Sequence, residues 1–201
     1  KMIGYVFQNP FTQISGIKET VFEEIAYGLE NFGVSVEEIE KRVIEVMKLT
    51  DTEELAMKNP YELSGGQMQR VALASVIVLD PDVLIIDEPT SQLDPQGTES
   101  VFAIIRKLKE QKKTIILVEH KIDLIAEFTD RVVILKDGEV LKEGDTKSVL
   151  TDISLLEHGI AIPQIAQLAI QLKEIGLPIN SISVTEDGLL DILKNLLGER
   201  G

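Results

Sequence analysis

Two acidic residues, Asp87 and Glu88, stand side by side after the apolar run at residues 83–86. The run is typical of a strand, and in open α/β sheets ligands bind beyond the carboxyl ends of the strands. Neighbouring residues on a strand point in opposite directions, so the two carboxylates can do different jobs. Asp87 is a candidate to hold Mg²⁺ through water, and Glu88 to orient and deprotonate an attacking water. Taken alone, the pair is more simply explained as an acidic turn.

A glycine pair, Gly65 and Gly66, lies in the string Leu-Ser-Gly-Gly-Gln at residues 63–67. Glycines at the start of a helix let backbone N–H groups come close to an anion, which the helix dipole also favours. Ser64 and Gln67 equally fit the S-x-x-Q capping box, so a purely structural interpretation stays open. The apolar continuation after this string strengthens the interpretation as an anion site.

Three further residues have simple explanations of their own. Gln8 is a polar residue at a strand exit, His120 follows another predicted strand, and Asp94 caps a helix that begins at Pro95. Their order along the chain, together with the two motifs above, favours a shared function over these separate explanations.

The composition of the chain excludes several classes of protein. The 201 residues include 34 acidic and 20 basic side chains, which give a formal charge of −14, and 44% of the chain is hydrophobic. Such a chain buries a core and lacks the basic surface that nucleic acid requires. With no cysteine and two histidines, disulfides, cysteine-bound zinc and a histidine-rich metal site are excluded. No apolar run approaches the roughly 18 residues that span a bilayer.

Apolar runs alternate with helical patterns, which predicts an α/β fold with a mostly parallel sheet. The predicted strands cover residues 2–7, 83–87, 114–118 and 131–135. Residues 83–86 and 115–118 are continuously apolar, which is typical of strands buried on both faces. The Asp137-Gly138 pair predicts a tight hairpin turn that forms a small antiparallel edge.

The helical patterns divide the rest of the chain. An insertion at about residues 20–79 contains two S/T-x-x-E capping boxes, Thr20 with Glu23 and Ser35 with Glu38. Further helices are predicted from Asp94-Pro95 to about Gln111, over residues 162–175, and after Thr185. The last two make an apolar tail, and we expect it to be buried.

Taken in their order along the chain, the motifs resemble those of the nucleotide-binding subunits of ABC transporters. Among these subunits, they resemble the ATPases of energy-coupling factor importers. The matches are Gln8 with the Q-loop, residues 63–67 with the LSGGQ signature, residues 83–88 with Walker B and its catalytic glutamate, residues 91–94 with the D-loop, and His120 with the switch histidine. Residues 159–164 and 176–178 resemble the C-terminal extension of the importer ATPases. Met68 and Glu119 depart from the family pattern, and neither touches a transferred role.

The resemblance implies the P-loop NTPase fold of ABC ATPases. Residues 1–150 are expected to form the ATPase domain, with a helical signature subdomain at about 16–80, and residues 151–201 a helical extension for dimerisation. No G-x-x-x-x-G-K-[S/T] string or Gly-Lys pair occurs in the chain. We therefore expect a chain truncated at its N-terminus, whose Walker A loop lies upstream of Lys1, and which binds ATP poorly or not at all by itself.

The resemblance also implies a role for each matched residue. ATP lies between the P-loop of one subunit and the signature of the other. The residues of the signature are implied to contact the γ-phosphate held by the opposite subunit; they are Ser64, Gly65, Gly66 and Gln67. Glu88 is implied to be the general base, Asp87 to bind Mg²⁺, and Gln8 to contact Mg²⁺ and the attacking water. His120 is implied to contact the γ-phosphate, and Asp94 to communicate across the dimer.

The implied partners are a second ABC ATPase subunit, identical or related, and integral membrane transport subunits. The protein is expected to lie peripherally on the cytoplasmic face of the cell membrane and to energise import of a micronutrient such as a vitamin or metal ion. A soluble ABC-class ATPase acting on nucleic acid or ribosomes is an alternative that the charge of −14 disfavours. A non-catalytic dimerisation module is the other alternative for the chain without its Walker A loop.

Overall fold

The computed structural model of the protein describes residues 2–198. The chain forms two compact units, of which the first ends at Glu119 and the second begins at His120. The domain boundary expected between residues 150 and 151 stays a prediction. Within the described residues, no helix has both the length and the apolar character needed to cross a membrane.

A parallel sheet forms the base of the first unit. Its strands are β1 (Ile3–Val6), β2 (Val83–Asp87) and β3 (Thr114–Val118), in the order β1–β2–β3. Tyr5 lies opposite Ile85, and Ile85 opposite Ile116. Because the strands are parallel, their carboxyl ends meet at one edge of the sheet, and the residues that follow each strand come together there.

The two faces of this sheet differ. Val6 and Ile86 are buried on one face, whereas on the other Ile3 is 63% exposed and Ile116 50% exposed. The prediction that the apolar strands are buried on both faces is therefore wrong for the described residues. An apolar run makes both faces suitable for burial, but burial also requires an element that packs on each face.

Helices of the first unit pack around a separate core. They are α1 (Val21–Asn31), α2 (Val36–Thr50) and α3 (Gly65–Ile77), and a fourth helix, α4 (Pro95–Glu110), follows β2 later in the chain. Buried side chains of α1, α2 and α3 form one cluster that includes Val21, Ile25, Leu29, Val43, Met47, Met68 and Val71. This core holds the predicted helical insertion together, because the apolar face of each helix packs on the others.

Capping explains the start of α1 and corrects the prediction for the start of α2. The predicted box at Thr20 and Glu23 is present in both directions, with the Thr20 hydroxyl accepting from the Glu23 N–H. Ser35 does precede α2, but its side chain makes no capping bond, so the second predicted box is wrong. The Glu38 carboxylate instead accepts a hydrogen bond from Arg42 Nε at 2.7 Å, one turn further along. An ion pair at this spacing competes for the side chain that would complete the box.

Truncating a side chain of this core should destabilise the unit. Leu29 is 2% exposed, and Leu29→Ala is expected to lower the free energy of unfolding by about 2–5 kcal/mol, through lost burial and the cavity left behind. Ile44 of α2 is 47% exposed, so Ile44→Ala should lower the free energy of unfolding by less than about 1 kcal/mol. Urea unfolding followed by circular dichroism at 222 nm measures both. Equal losses would contradict a core centred on Leu29.

A hairpin organises the second unit. Strands β4 (Arg131–Lys136) and β5 (Glu139–Asp145) pair antiparallel, as predicted. Asp137 and Gly138 have φ of 53° and 83°, the left-handed values that a tight two-residue turn requires. The expected antiparallel edge is corrected in one respect. Within the described residues, β4 and β5 form a sheet of their own rather than an edge of the parallel one.

Helices make up the rest of the second unit. They are α5 (Ile122–Phe128), α6 (Thr146–Leu150), α7 (Ser154–Glu157), α8 (Gln164–Glu174) and α9 (Glu186–Gly198). The predicted helices of the tail correspond to α8 and α9. Ala166 and Leu189 are buried, but Ile175 is 74% and Leu197 72% exposed. The expectation that the tail is buried therefore holds for one side only, since each helix packs a single apolar stripe within the unit.

An ion pair in the second unit gives a prediction about pH. The Lys142 ammonium and the Ser154 N–H hold the pKa of Asp152 at about 2, below its ordinary 3.8. Because the folded pKa is depressed, the pair contributes stability above the ordinary value and loses it as pH falls towards 2. Lys142→Met should return the pKa of Asp152 towards 3.8, as measured by ¹³C NMR of its carboxyl. An unchanged pKa would contradict the role of Lys142.

Candidate functional site

The carboxyl edge of the parallel sheet brings Gln8 and Glu88 together. Gln8 lies two residues after β1, and Glu88 directly follows β2. The Gln8 Nε2 donates a hydrogen bond to Glu88 Oε2 at 2.7 Å. Two residues 80 positions apart in the sequence thus meet because their strands are parallel neighbours.

Asp87 has a different neighbour. The Tyr5 hydroxyl donates to Asp87 Oδ2 at 2.7 Å, and this bond to a carboxylate raises the pKa of Tyr5 above its ordinary value. The two adjacent acids are therefore engaged by separate side chains. Tyr5 was not among the site residues predicted from the sequence. The signal lies in the strand register, because Tyr5 pairs with Ile85 and so shares a face with Asp87, two residues further on.

Glu88 has an unusual backbone conformation. Its φ is +40°, a region that side-chain-bearing residues rarely adopt. The Glu88 N–H donates to the Val118 carbonyl at 2.9 Å, and the Glu88 carbonyl accepts from the Ser91 N–H at 3.2 Å. Such strain persists where the surroundings fix the conformation, and it occurs most often at functional sites.

A second contact joins the same turn to the end of β3. Thr90 is 1% exposed, and its hydroxyl donates to Glu119 Oε1. Glu119 departs from the family pattern without touching a transferred role, and this stays a prediction. In the structure its carboxylate accepts a hydrogen bond from the buried hydroxyl of Thr90, two residues after Glu88.

The glycine pair opens α3 as predicted. Ser64 and Gln67 make both bonds of the capping box, with Gln67 Oε1 accepting from the Ser64 N–H at 3.0 Å. The capping box predicted for these two residues is therefore present. It does not compete with the functional interpretation, since Ser64 and Gly65 lie exposed at the surface. A Cβ added to Gly65 would meet no atom within 4 Å.

Asp94 lies beside the same helix start. Its Oδ1 accepts from the Gly97 N–H at 2.7 Å, which caps α4 as predicted. A Cβ built on Gly66 would come within 3.6 Å of the Gly97 Cα. The starts of α3 and α4 are thus adjacent, a proximity that sequence analysis did not predict. His120 follows Glu119 in the chain and is the first residue of the second unit.

The acids at β2 suit one kind of metal ion. Mg²⁺ is usually held by one or two carboxylates, with phosphate oxygens and water completing its shell. Across residues 2–198, no group of three or more histidine, aspartate or glutamate side chains is placed to hold a metal by itself. Asp87, with Gln8 at the same edge of the sheet, therefore fits Mg²⁺ that arrives with phosphate and water ligands, rather than an all-protein cage.

The chain matches known proteins over most of its length. The family model for ABC transporters matches residues 1–91. The energy-coupling factor transporter ATP-binding protein EcfA2 of Streptococcus pyogenes, in serotypes M5 and M1, is 41% identical over 197 residues, which are 97% of this chain and 70% of the relative.

Solved structures give the same result. The cbiO1 protein of Clostridium perfringens, described as part of the ABC transporter complex cbiONQ, superposes with a TM-score of 0.69 at 36% identity. That match covers 83% of this chain and 66% of cbiO1. MJ0796, a bacterial ABC transporter cassette solved as a dimer, gives a TM-score of 0.62 at 36% identity, over 73% of this chain and 63% of that one.

The fold and the arrangement of its motifs define an ATPase of the ATP-binding cassette class, and the predicted α/β fold of that class is confirmed. Within this class, the chain belongs to the ATP-binding proteins of energy-coupling factor transporters. The chain spans 70% of the length of the EcfA2 relatives.

Proposed function

We propose that this chain supplies the signature helix and the water-activating acid of an ATPase that energises an importer of the energy-coupling factor type. The observation that carries the proposal is the hydrogen bond from Gln8 Nε2 to Glu88 Oε2 at 2.7 Å. It fixes a carboxylate at the ligand-binding edge of a parallel sheet, beside an amide that can also hold water.

Glu88 acts as the general base. Its carboxylate accepts the proton of the attacking water, while the Gln8 amide holds that water in line. Asp87 binds Mg²⁺ through water, with Tyr5 fixing its Oδ2. When bound, Mg²⁺ neutralises charge on the phosphates and so favours their transfer. By its resemblance to the switch histidine of the family, His120 contacts the γ-phosphate.

The start of α3 faces a second subunit. Ser64, Gly65, Gly66 and Gln67 contact the γ-phosphate of an ATP whose P-loop belongs to the partner. Exposure of Ser64 and Gly65 and the open space at Gly65 support this role. Asp94, beside the start of α3, communicates across the interface. MJ0796 was solved as a dimer, and in one state with ADP and phosphate bound.

The tail contributes to the same pairing. In the described part of the tail, Ile175 and Leu197 are exposed, and we propose that residues 151–201 join the second ATP-binding subunit through this surface. Integral membrane subunits hold the pair at the cytoplasmic face of the membrane and receive its motion. The imported substrate is a micronutrient such as a vitamin or metal ion, selected by a membrane partner.

One experiment separates the signature role from ATP binding by the chain itself. The 201 residues contain no Gly-Lys pair, so the chain alone should bind ATP poorly. Mixed with a P-loop-carrying subunit of an energy-coupling factor transporter, it should form a dimer when Mg²⁺ and ATP are present. Sedimentation velocity measures the dimer, and AMP in place of ATP is the control.

Two results would overturn this proposal. The first is association that is the same with ATP, with AMP and without nucleotide. The second is tight binding of ATP by the isolated chain, which would place the phosphate site elsewhere.

A further inference from the structure

We propose that Glu119 is a positioning residue for Glu88, and that it acts through the buried hydroxyl of Thr90. Two tethers join the turn after β2 to the end of β3. One is the backbone bond from the Glu88 N–H to the Val118 carbonyl at 2.9 Å, and the other is the side-chain bond from Thr90 to Glu119 Oε1.

The tethers bracket the strained residue. Glu88 has a φ of +40°, and a residue with a side chain leaves this region unless its neighbours prevent it. The bond to Val118 fixes its amide, and the bond from Thr90 to Glu119 fixes the chain two residues later. Together they restrict the backbone on both sides of Glu88.

A carboxylate suits this position better than a neutral side chain. Thr90 is 1% exposed, so its hydroxyl has to find an acceptor within the protein. Hydrogen bonds to a charged acceptor are stronger than those between neutral groups. Glu119, the last residue of the first unit, therefore makes the turn stiffer than a neutral residue in its place would.

The consequence lies in where the Glu88 carboxylate points. Gln8 holds its Oε2 from β1, while the tethers hold its backbone from β3. If the turn relaxes, the carboxylate swings away from Gln8 and from the water it is to deprotonate. This catalytic consequence rests on the proposed function, whereas the tether itself does not.

Amide hydrogen exchange on the nucleotide-free chain tests the tether directly. Thr90→Val removes the hydroxyl with little change of shape, and Thr90→Ser keeps it as the matched control. Thr90→Val and Glu119→Ala should speed exchange at the Glu88 and Ser91 amides about tenfold, by releasing a charge-assisted bond. Thr90→Ser keeps the donor and should remain near the wild-type rate, whereas Glu119→Gln keeps only a neutral acceptor and should exchange at a rate between those of the wild type and Glu119→Ala.

Exchange in α2 serves as the internal reference, because a local tether should leave it unchanged. If Glu119→Ala loses protection throughout, the Thr90→Val and Thr90→Ser pair decides. Equal exchange at Glu88 and Ser91 in that pair would overturn the proposal.

Turnover tests the catalytic consequence. In a complete subunit that carries this sequence with a P-loop, Thr90→Val should lower kcat about tenfold and leave the KM for ATP unchanged. Faster exchange with an unchanged kcat would make the tether merely structural and would overturn the positioning role. A subunit whose turnover survives Glu88→Gln would instead show that the proposed function fails, whatever the tether does.

Discussion

Replacing Glu88 with Gln in a complete, P-loop-carrying subunit is expected to lower phosphate release at least about 100-fold, the usual worth of a general base. Glutamine keeps the size of the side chain and can still bond to Gln8, but it cannot take a proton from water. ATP should therefore bind and remain intact. A phosphate-release assay measures turnover, and a filter-binding assay with labelled ATP measures retention.

Glu99→Gln is the matched control for this variant. Glu99 is an exposed residue of α4, so the same chemical change there should leave turnover within about twofold, as for a surface substitution. Phosphate release that survives in the Glu88 variant would remove Glu88 from the role of base. Loss of ATP retention would indicate instead that the substitution had damaged binding.

Gly65→Asp is expected to abolish ATP-dependent pairing with a P-loop-carrying subunit while leaving the fold intact. Gly65 has no atom within 4 Å of an added Cβ, and its φ is not in the left-handed region. An aspartate therefore fits, and negative charge in the first turn even favours the helix. Placed where a phosphate is to bind, the same charge repels it. Sedimentation velocity with Mg²⁺ and ATP should show loss of the dimer.

Val36→Asp provides the control for added charge. Val36 is the first residue of α2 and is 66% exposed, so it receives the same carboxylate in the same helix position. Its dimer should persist, and both variants should unfold at nearly the wild-type temperature. A dimer that forms equally well with Gly65→Asp would contradict the signature role of α3.

Local rules were sufficient for much of the fold. The strand at Val83–Asp87 and the start of α4 at Pro95 were predicted correctly, because apolar runs, caps and proline act over a few residues. The hairpin turn followed from Asp137-Gly138 for the same reason. The motifs also indicated the family, since their order along the chain is itself information carried by the sequence.

What could not be predicted depends on contacts between distant elements. The bonds from Tyr5 to Asp87 and from Thr90 to Glu119 require the strand register, which no local pattern specifies. The approach of Gly66 to Gly97 depends likewise on how α3 packs beside α4. Ser35 shows the converse error, where a correct motif loses its bond because Glu38 has a better partner in Arg42.

The face of the parallel sheet that carries Ile3 and Ile116 makes the colloidal behaviour of this chain sensitive to salt. With a formal charge of −14, copies repel one another, over roughly 30 Å in 0.01 M salt. Added salt shortens the range of this repulsion and allows the exposed apolar faces of different copies to associate. Dilute buffer well above the isoelectric point of about 4.6 is therefore the condition that keeps purified molecules apart.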